Sequence, residues 1–255
     1  MWRAQTSEVH SPPLSCRSAC NIHILEGKWI RGHWWYKLAH VCRRWRGIVI
    51  GSPSYLGLYL VCTHGTPVAD MLAHSPPLLL VIDYLDNREF TSEDEEGIML
   101  ALQHRGRVCC ICLVIPDLNL QRVLAVMDEE FPMLEYLSIA PTSTPDSDTT
   151  GLVLPETFQA PNLRHLVLAD FTFSIKSPLL STTVGLVTLS LVDLHSPIYI
   201  HSNDLIQRLS LMPYLETLMI DCHPSVPNGD TQRQLLLTLI TTDVVTLPNL
   251  NWYSF

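Results

Sequence analysis

The sequence predicts an α/β fold in which N-terminal helices are followed by an irregular solenoid of repeats carrying a parallel sheet. Three observations predict it. The pattern L-x-x-L-x-L, or an apolar equivalent, recurs from Leu79 to the C-terminus. A stripe of apolar residues at three- and four-residue steps precedes it, between Trp34 and Val49. The charge also divides: residues 1–60 hold eight Lys/Arg against two acids, and the remaining residues hold eight against twenty-three. Five of the six tryptophans fall within the first 45 residues. With 47% of its 255 residues hydrophobic and 16% charged, the chain can bury a large core, and wholesale disorder is excluded.

Residues 1–29 mix polar, proline and cysteine residues without a sustained period and are left unassigned. Residues 30–75 read as helical. In HWWYKLAHVCRRWRGIVIGSP, starting at His33, the residues Trp34, Leu38, Val41, Cys42, Trp45, Ile48 and Val49 share one helical face. Lys37, Arg43, Arg44 and Arg46 take the other face, and Gly51-Ser52-Pro53 stops the helix near Ile50. A second helix is expected from Thr66 to His74, with Pro67 in its first turn and Ser75-Pro76-Pro77 ending it.

Residues 76–255 read as the repeats. Clear copies start at Leu134 (LEYLSI), Leu163 (LRHLVL), Leu186 (LVTLSL) and Leu215 (LETLMI). Weaker copies start at Leu79, Val108 and Leu250, giving steps of 29, 26, 29, 23, 29 and 35 residues. Each copy supplies a short strand whose inward residues stack on those of the next, because one unit alone buries nothing. Return segments are expected as helices at 97–104, where the EDEE run of Glu93 to Glu96 complements the helix dipole, at 118–130 and at 203–211. The Ser/Thr/Pro/Asp-rich stretch 141–150 reads as a surface loop. The last copy ends on Tyr253 and Phe255 without a return segment, the pattern expected of a truncated array.

The patterns exclude several chemistries. There is no glycine-rich phosphate loop, no G-x-S-x-G elbow and no H-E-x-x-H, and the eleven histidines show no adjacent carboxylate pattern marking a general base. No enzyme and no cofactor are therefore expected. Cys16, Cys20 and His23, with His33, His40 and Cys42 following, lack the second matched pair of a structural zinc site. Cys109, Cys110 and Cys112 sit in an apolar run, where thiols act as small hydrophobes. No apolar run reaches the roughly 18 residues of a membrane span, and no secretory signal opens the chain, so reduced thiols and a cytoplasmic or nuclear location are expected. The acidic remainder argues against nucleic acid as partner of the arginine-bearing helix.

Side chains alternate across a strand, so the residues between the repeated leucines face away from the core. These are Tyr136, Ser138, His165, Val167, Thr188, Ser190, Thr217 and Met219. The set is uncharged and mildly polar, suited to a protein target rather than to a polyanion.

HVCRRWRGIVIGSP, followed by YLGLYLVCTHGTPVADMLAHSPPLLLVIDY and then irregular leucine-rich repeats, resembles the F-box proteins abundant in mushroom-forming fungi. The resemblance runs from Trp34 to the C-terminus. It implies F-box helices that dock on the Skp adaptor of a cullin-type ubiquitin ligase, and repeats that present a surface to the target. On that match, Trp34, Leu38, Val41, Cys42, Trp45 and Ile48 lie in the later F-box helices and contact the adaptor. The family's LPxELLxxIF opening has no counterpart here, where SPPLSCRSACNIHILEGKWIRG stands instead. A leucine-rich interaction scaffold without ligase coupling is the alternative this departure leaves open.

Overall fold

The computed structural model describes residues 41–51, 58–85, 89–142, 152–172, 174, 177–194, 207–222 and 251–252. They form a mixed α/β structure around a parallel sheet. In chain order the elements are α1 (Arg43–Gly51), β1 (Tyr59–Cys62), α2 (Val68–His74), β2 (Leu79–Tyr84), α3 (Ser92–Leu102), β3 (Val108–Ile115), α4 (Asp117–Val126), β4 (Tyr136–Pro141), β5 (His165–Ala169), α5 (Pro178–Thr182), β6 (Thr188–Leu194), β7 (Thr217–Cys222) and the two-residue β8 (Asn251–Trp252). Strand order in the sheet is the order in the sequence, β1 to β8, and every pair is parallel. Each strand from β2 to β7 therefore lies between its sequence neighbours.

The repeated leucines explain this register. Cys62, Ile82, Ile111, Leu137, Leu166, Leu189 and Leu218 stand opposite one another from β1 to β7. Two residues on, Tyr84, Leu113, Ile139, Leu168, Leu191 and Ile220 make a second row. Apart from the half-buried Ile220, both rows are buried and join one core. Val68 of α2, Ile98 and Leu102 of α3, Leu120, Val123 and Leu124 of α4, and Leu179 and Leu180 of α5 close that core from the helix side. Each fully buried leucine adds about 1.5–3 kcal/mol by removal from water. One strand with one helix cannot enclose its leucine, and the stack can.

The first leucine of each clear repeat lies just before its strand, and prolines fix how it enters. Leu134 N–H donates to Phe131 O at 3.2 Å, Leu163 N–H to Ala160 O at 3.1 Å and Leu215 N–H to Met212 O at 3.1 Å. Each closes a four-residue turn whose second residue is Pro132, Pro161 or Pro213, where the fixed φ of proline suits the turn. Asn162 Nδ2 donates to Pro132 O at 2.7 Å, linking one turn to the next.

The sheet starts earlier than the sequence predicts. Tyr59–Cys62 is a strand paired with β2, so residues 59–62 belong to the sheet and not to a helical region ending at residue 75. The helix expected at 66–74 is α2, and it connects two adjacent strands. Helix α3 begins at Ser92, not Gly97, because Thr91 caps it: Thr91 Oγ1 accepts from Asp94 N–H while the Asp94 carboxylate accepts from Thr91 N–H. Helix α4 ends at Val126, four residues short of the expected limit. Beyond it Glu130 bridges Gln159, and Phe131 N–H donates to Gln159 O at 2.8 Å. The expected apolar set Leu120, Val123, Leu124 and Met127 is nonetheless buried. Of the helix expected at 203–211, residues 207–209 are helical and the earlier part lies outside the described residues. Most of the loop expected at 141–150 lies there too. No helix among the described residues is long and apolar enough to cross a membrane.

Candidate interaction surfaces

Two surfaces follow from the sequence, and the structure treats them differently. Val41 and Cys42, just ahead of α1, and Trp45 and Ile48, on it, are all exposed, with 64% of Val41, 48% of Trp45 and 53% of Ile48 open to solvent. The helix begins at Arg43, after the Val41 and Cys42 that the sequence places in it, and Arg46 N–H donates to Cys42 O at 3.0 Å in its first turn. It ends one residue later than expected, at Gly51. Within the helix, Trp45 and Ile48 are three residues apart and share one face, and Arg43, Arg44 and Arg46 are exposed as well. Trp34 and Leu38, expected on the same face, lie outside the described residues. So do Cys16, Cys20, His23, His33 and His40.

The eight residues expected to meet a target do form a contiguous array. Tyr136, His165, Thr188 and Thr217 are opposite one another across β4 to β7, and Ser138, Val167, Ser190 and Met219 make the adjacent row. The array is not an open surface. Tyr136, Ser138, Val167 and Ser190 are buried, and His165, Thr188, Thr217 and Met219 are half-buried. The first four are thus corrected from contact residues to packing residues. Small side chains in parallel strands leave each other little solvent, and apolar residues continue the same face: Val61, Val81, Cys110 and Cys112 cluster with Tyr136, and Ala140, Ala169 and Val192 form a second cluster beside Met219. His165 Nδ1 lies 3.1 Å from Thr188 Oγ1, and its ring centre is 5.6 Å from that of Tyr136.

The thiols behave as the apolar reading expects. Cys62, Cys109, Cys110 and Cys112 are buried, whereas Cys42 is exposed. Burial pushes the Cys62 thiol up to about 12 and raises the Cys109 thiol as well. Cys109 Sγ donates to Leu80 O at 3.3 Å, and Cys110 Sγ lies 3.6 Å from Cys112 Sγ. No group of three metal-ligating side chains occurs among the described residues.

One ionisable constellation escaped the sequence. Asp94, in the first turn of α3, accepts from Gly65 N–H at 3.1 Å, from Thr91 Oγ1 at 2.9 Å and from His64 Nδ1 at 3.2 Å. Its carboxylate has no proton to give, so His64 Nδ1 is the donor. Burial pushes the Asp94 carboxyl up, but the hydrogen bonds from Thr91, Gly65 and His64 together outweigh it and hold the group below the usual carboxylate range. The His64 ring packs edge-on to Tyr84 at 4.9 Å, and its Nε2 is buried with no hydrogen-bond partner among the described residues. Among the described residues no hydroxyl or thiol bonds to that nitrogen. The His64–Asp94 pair ties the β1–α2 turn to α3. The two residues are thirty apart in sequence, and only the capping pattern Thr91-x-x-Asp94 marked one of them.

Set against known proteins, the chain matches no family, no curated protein and no solved structure.

Proposed function

We propose that this chain is a non-enzymatic substrate-recognition subunit of a cullin-type ubiquitin ligase. The α1 face docks on the Skp-family adaptor, and an F-box-like region followed by a leucine-rich solenoid carries the target. The observation that carries this reading is the exposed apolar set of Val41, Trp45 and Ile48 immediately ahead of a parallel sheet whose strands follow sequence order. A soluble monomer rarely leaves such a set bare, and strand-by-strand order is what repeat stacking produces. Target contact falls to the half-buried members of the outer face, His165, Thr188, Thr217 and Met219, because their neighbours in the array are buried.

The test is copurification of the full chain with the Skp adaptor and a cullin. Val41→Asp and Trp45→Asp together abolish it if the reading is correct. Retention of the adaptor by that variant overturns the docking face. A second reading, an interaction scaffold uncoupled from any ligase, is favoured by one feature: SPPLSCRSACNIHILEGKWIRG stands where the family carries its LPxELLxxIF helix. Wild-type chain that captures neither adaptor nor cullin selects it.

A further inference from the structure

A cavity of about 600 Å³ opens to solvent at the strand-entry edge of the sheet, between the turn that leads from α3 into β3 and the segment that leads from α4 into β4. Its size falls in the range of small-ligand sites. Both walls are held by backbone hydrogen bonds. On one side His104 N–H donates to Ala101 O at 3.0 Å and Arg107 N–H to His104 O at 2.8 Å, and on the other Phe131 N–H donates to Gln159 O at 2.8 Å. The charges on these walls fall into two groups. Arg105 pairs with Glu129 and lies 3.8 Å from Asp128, so its charge is met. Arg107 is half-buried, and its Nε and Nη2 donate to Leu78 O at 2.8 Å and to Pro76 O at 3.4 Å. Those carbonyls fix the guanidinium without neutralising it, and Arg107 has no carboxylate within 4.0 Å among the described residues. Glu130, on the other wall, is exposed and likewise belongs to no ion pair among the described residues. One cavity thus holds one unpaired cation and one unpaired anion that do not reach each other, with the half-buried His104 on the same wall as Arg107.

We propose that this cavity binds a zwitterion of the amino-acid or peptide class, with Arg107 taking its carboxylate and Glu130 its ammonium. A plain anion would meet the like charge of Glu130, and a plain cation that of Arg107. A guanidinium carries five N–H donors in one plane and holds a carboxylate through two of them. Arg107 commits two to carbonyls, and the rest suffice. Because hydrogen-bonded backbone sets both walls, the two charges are in place before a ligand arrives, which lowers the cost of binding it. None of these residues lies on α1, so the site is independent of the docking face.

The experiment titrates the full chain by calorimetry with tri-alanine, and with its N-acetylated and C-amidated forms, which lack the ammonium and the carboxylate in turn. Tri-alanine is expected to bind at one site, and each blocked form at least about tenfold more weakly, because a charge-assisted contact is lost. Glu130→Gln should weaken tri-alanine by a similar factor and leave the acetylated form unchanged. Arg107→Gln should weaken tri-alanine and leave the amidated form unchanged. If thermal unfolding shows that Arg107→Gln does not fold, Glu130→Gln, at an exposed side chain, and the blocked peptides decide the question. Free alanine binding as tightly as tri-alanine identifies a free amino acid as the source of the zwitterion. Tighter binding by an end-blocked peptide bearing one lysine and one glutamate identifies a protein segment instead. Absence of binding by all of these probes overturns the proposal. So does equal binding of tri-alanine and its acetylated form, or tighter binding of inorganic phosphate than of tri-alanine, either of which leaves a plain anion site.

Discussion

Replacing Asp94 by Ala strikes the junction between the first two strand–helix units. The substitution removes the acceptor for Thr91 N–H and Thr91 Oγ1, for Gly65 N–H and for His64 Nδ1. Loss of the capping interaction costs about 1 kcal/mol. Gly65 is exposed and its N–H finds water, but the His64 ring is 7% exposed and loses the one acceptor it has among the described residues, which adds about 1–3 kcal/mol. The expected loss is therefore about 2–4 kcal/mol, measured by urea unfolding followed by circular dichroism. Asp94→Asn keeps one acceptor oxygen and should lose about half as much. The pH dependence has a definite sign. Asp94 is held below its unfolded value, so its contribution is fully present above about pH 4 and disappears as pH falls through the lowered folded value. The stability gap between wild type and Asp94→Asn should be widest at neutral pH and close in acid. A loss under about 0.5 kcal/mol for Asp94→Ala, or a gap that does not narrow in acid, would refute the assignment of Asp94 as the tie.

Two further outcomes follow from the core. Leu166 is fully buried between Leu137 and Leu189, so Leu166→Ala should cost about 2–5 kcal/mol in the same unfolding assay, whereas Leu118→Ala, at a side chain 73% exposed, should cost under about 0.5. Alkylation at mildly alkaline pH, read by peptide mass spectrometry, should label Cys42 within minutes and leave Cys62, Cys109, Cys110 and Cys112 unmodified until denaturant is added.

The strands from Leu79 onward were legible because each must place its apolar residues at the same offsets. The pattern repeats even where the step shortens from 29 to 23 residues. β1 was not legible, since YLVC is four residues long and carries no third leucine ahead of it. The outer array was legible as an arrangement and not as an exposure. Alternation tells which way Ser138 and Ser190 point, but burial depends on what surrounds a whole face, and polarity at single positions does not report it. The role of Asp94 was hidden for another reason. Within EDEE four carboxylates look equivalent, and only the Thr91 cap and a histidine thirty residues upstream single one of them out.

A sheet whose strands follow the order of the chain has no step that waits for distant ends to meet. Every pairing from β1 to β7 is closed by the segment just made, so β2 and β3 can dock before β6 exists. Synthesis from the N-terminus can thus extend a growing template one strand at a time, and removing β7 and β8 deletes their own pairings while β1 to β6 keep theirs. Damage in such a molecule is local, and its length is a quantity that evolution can change in whole units.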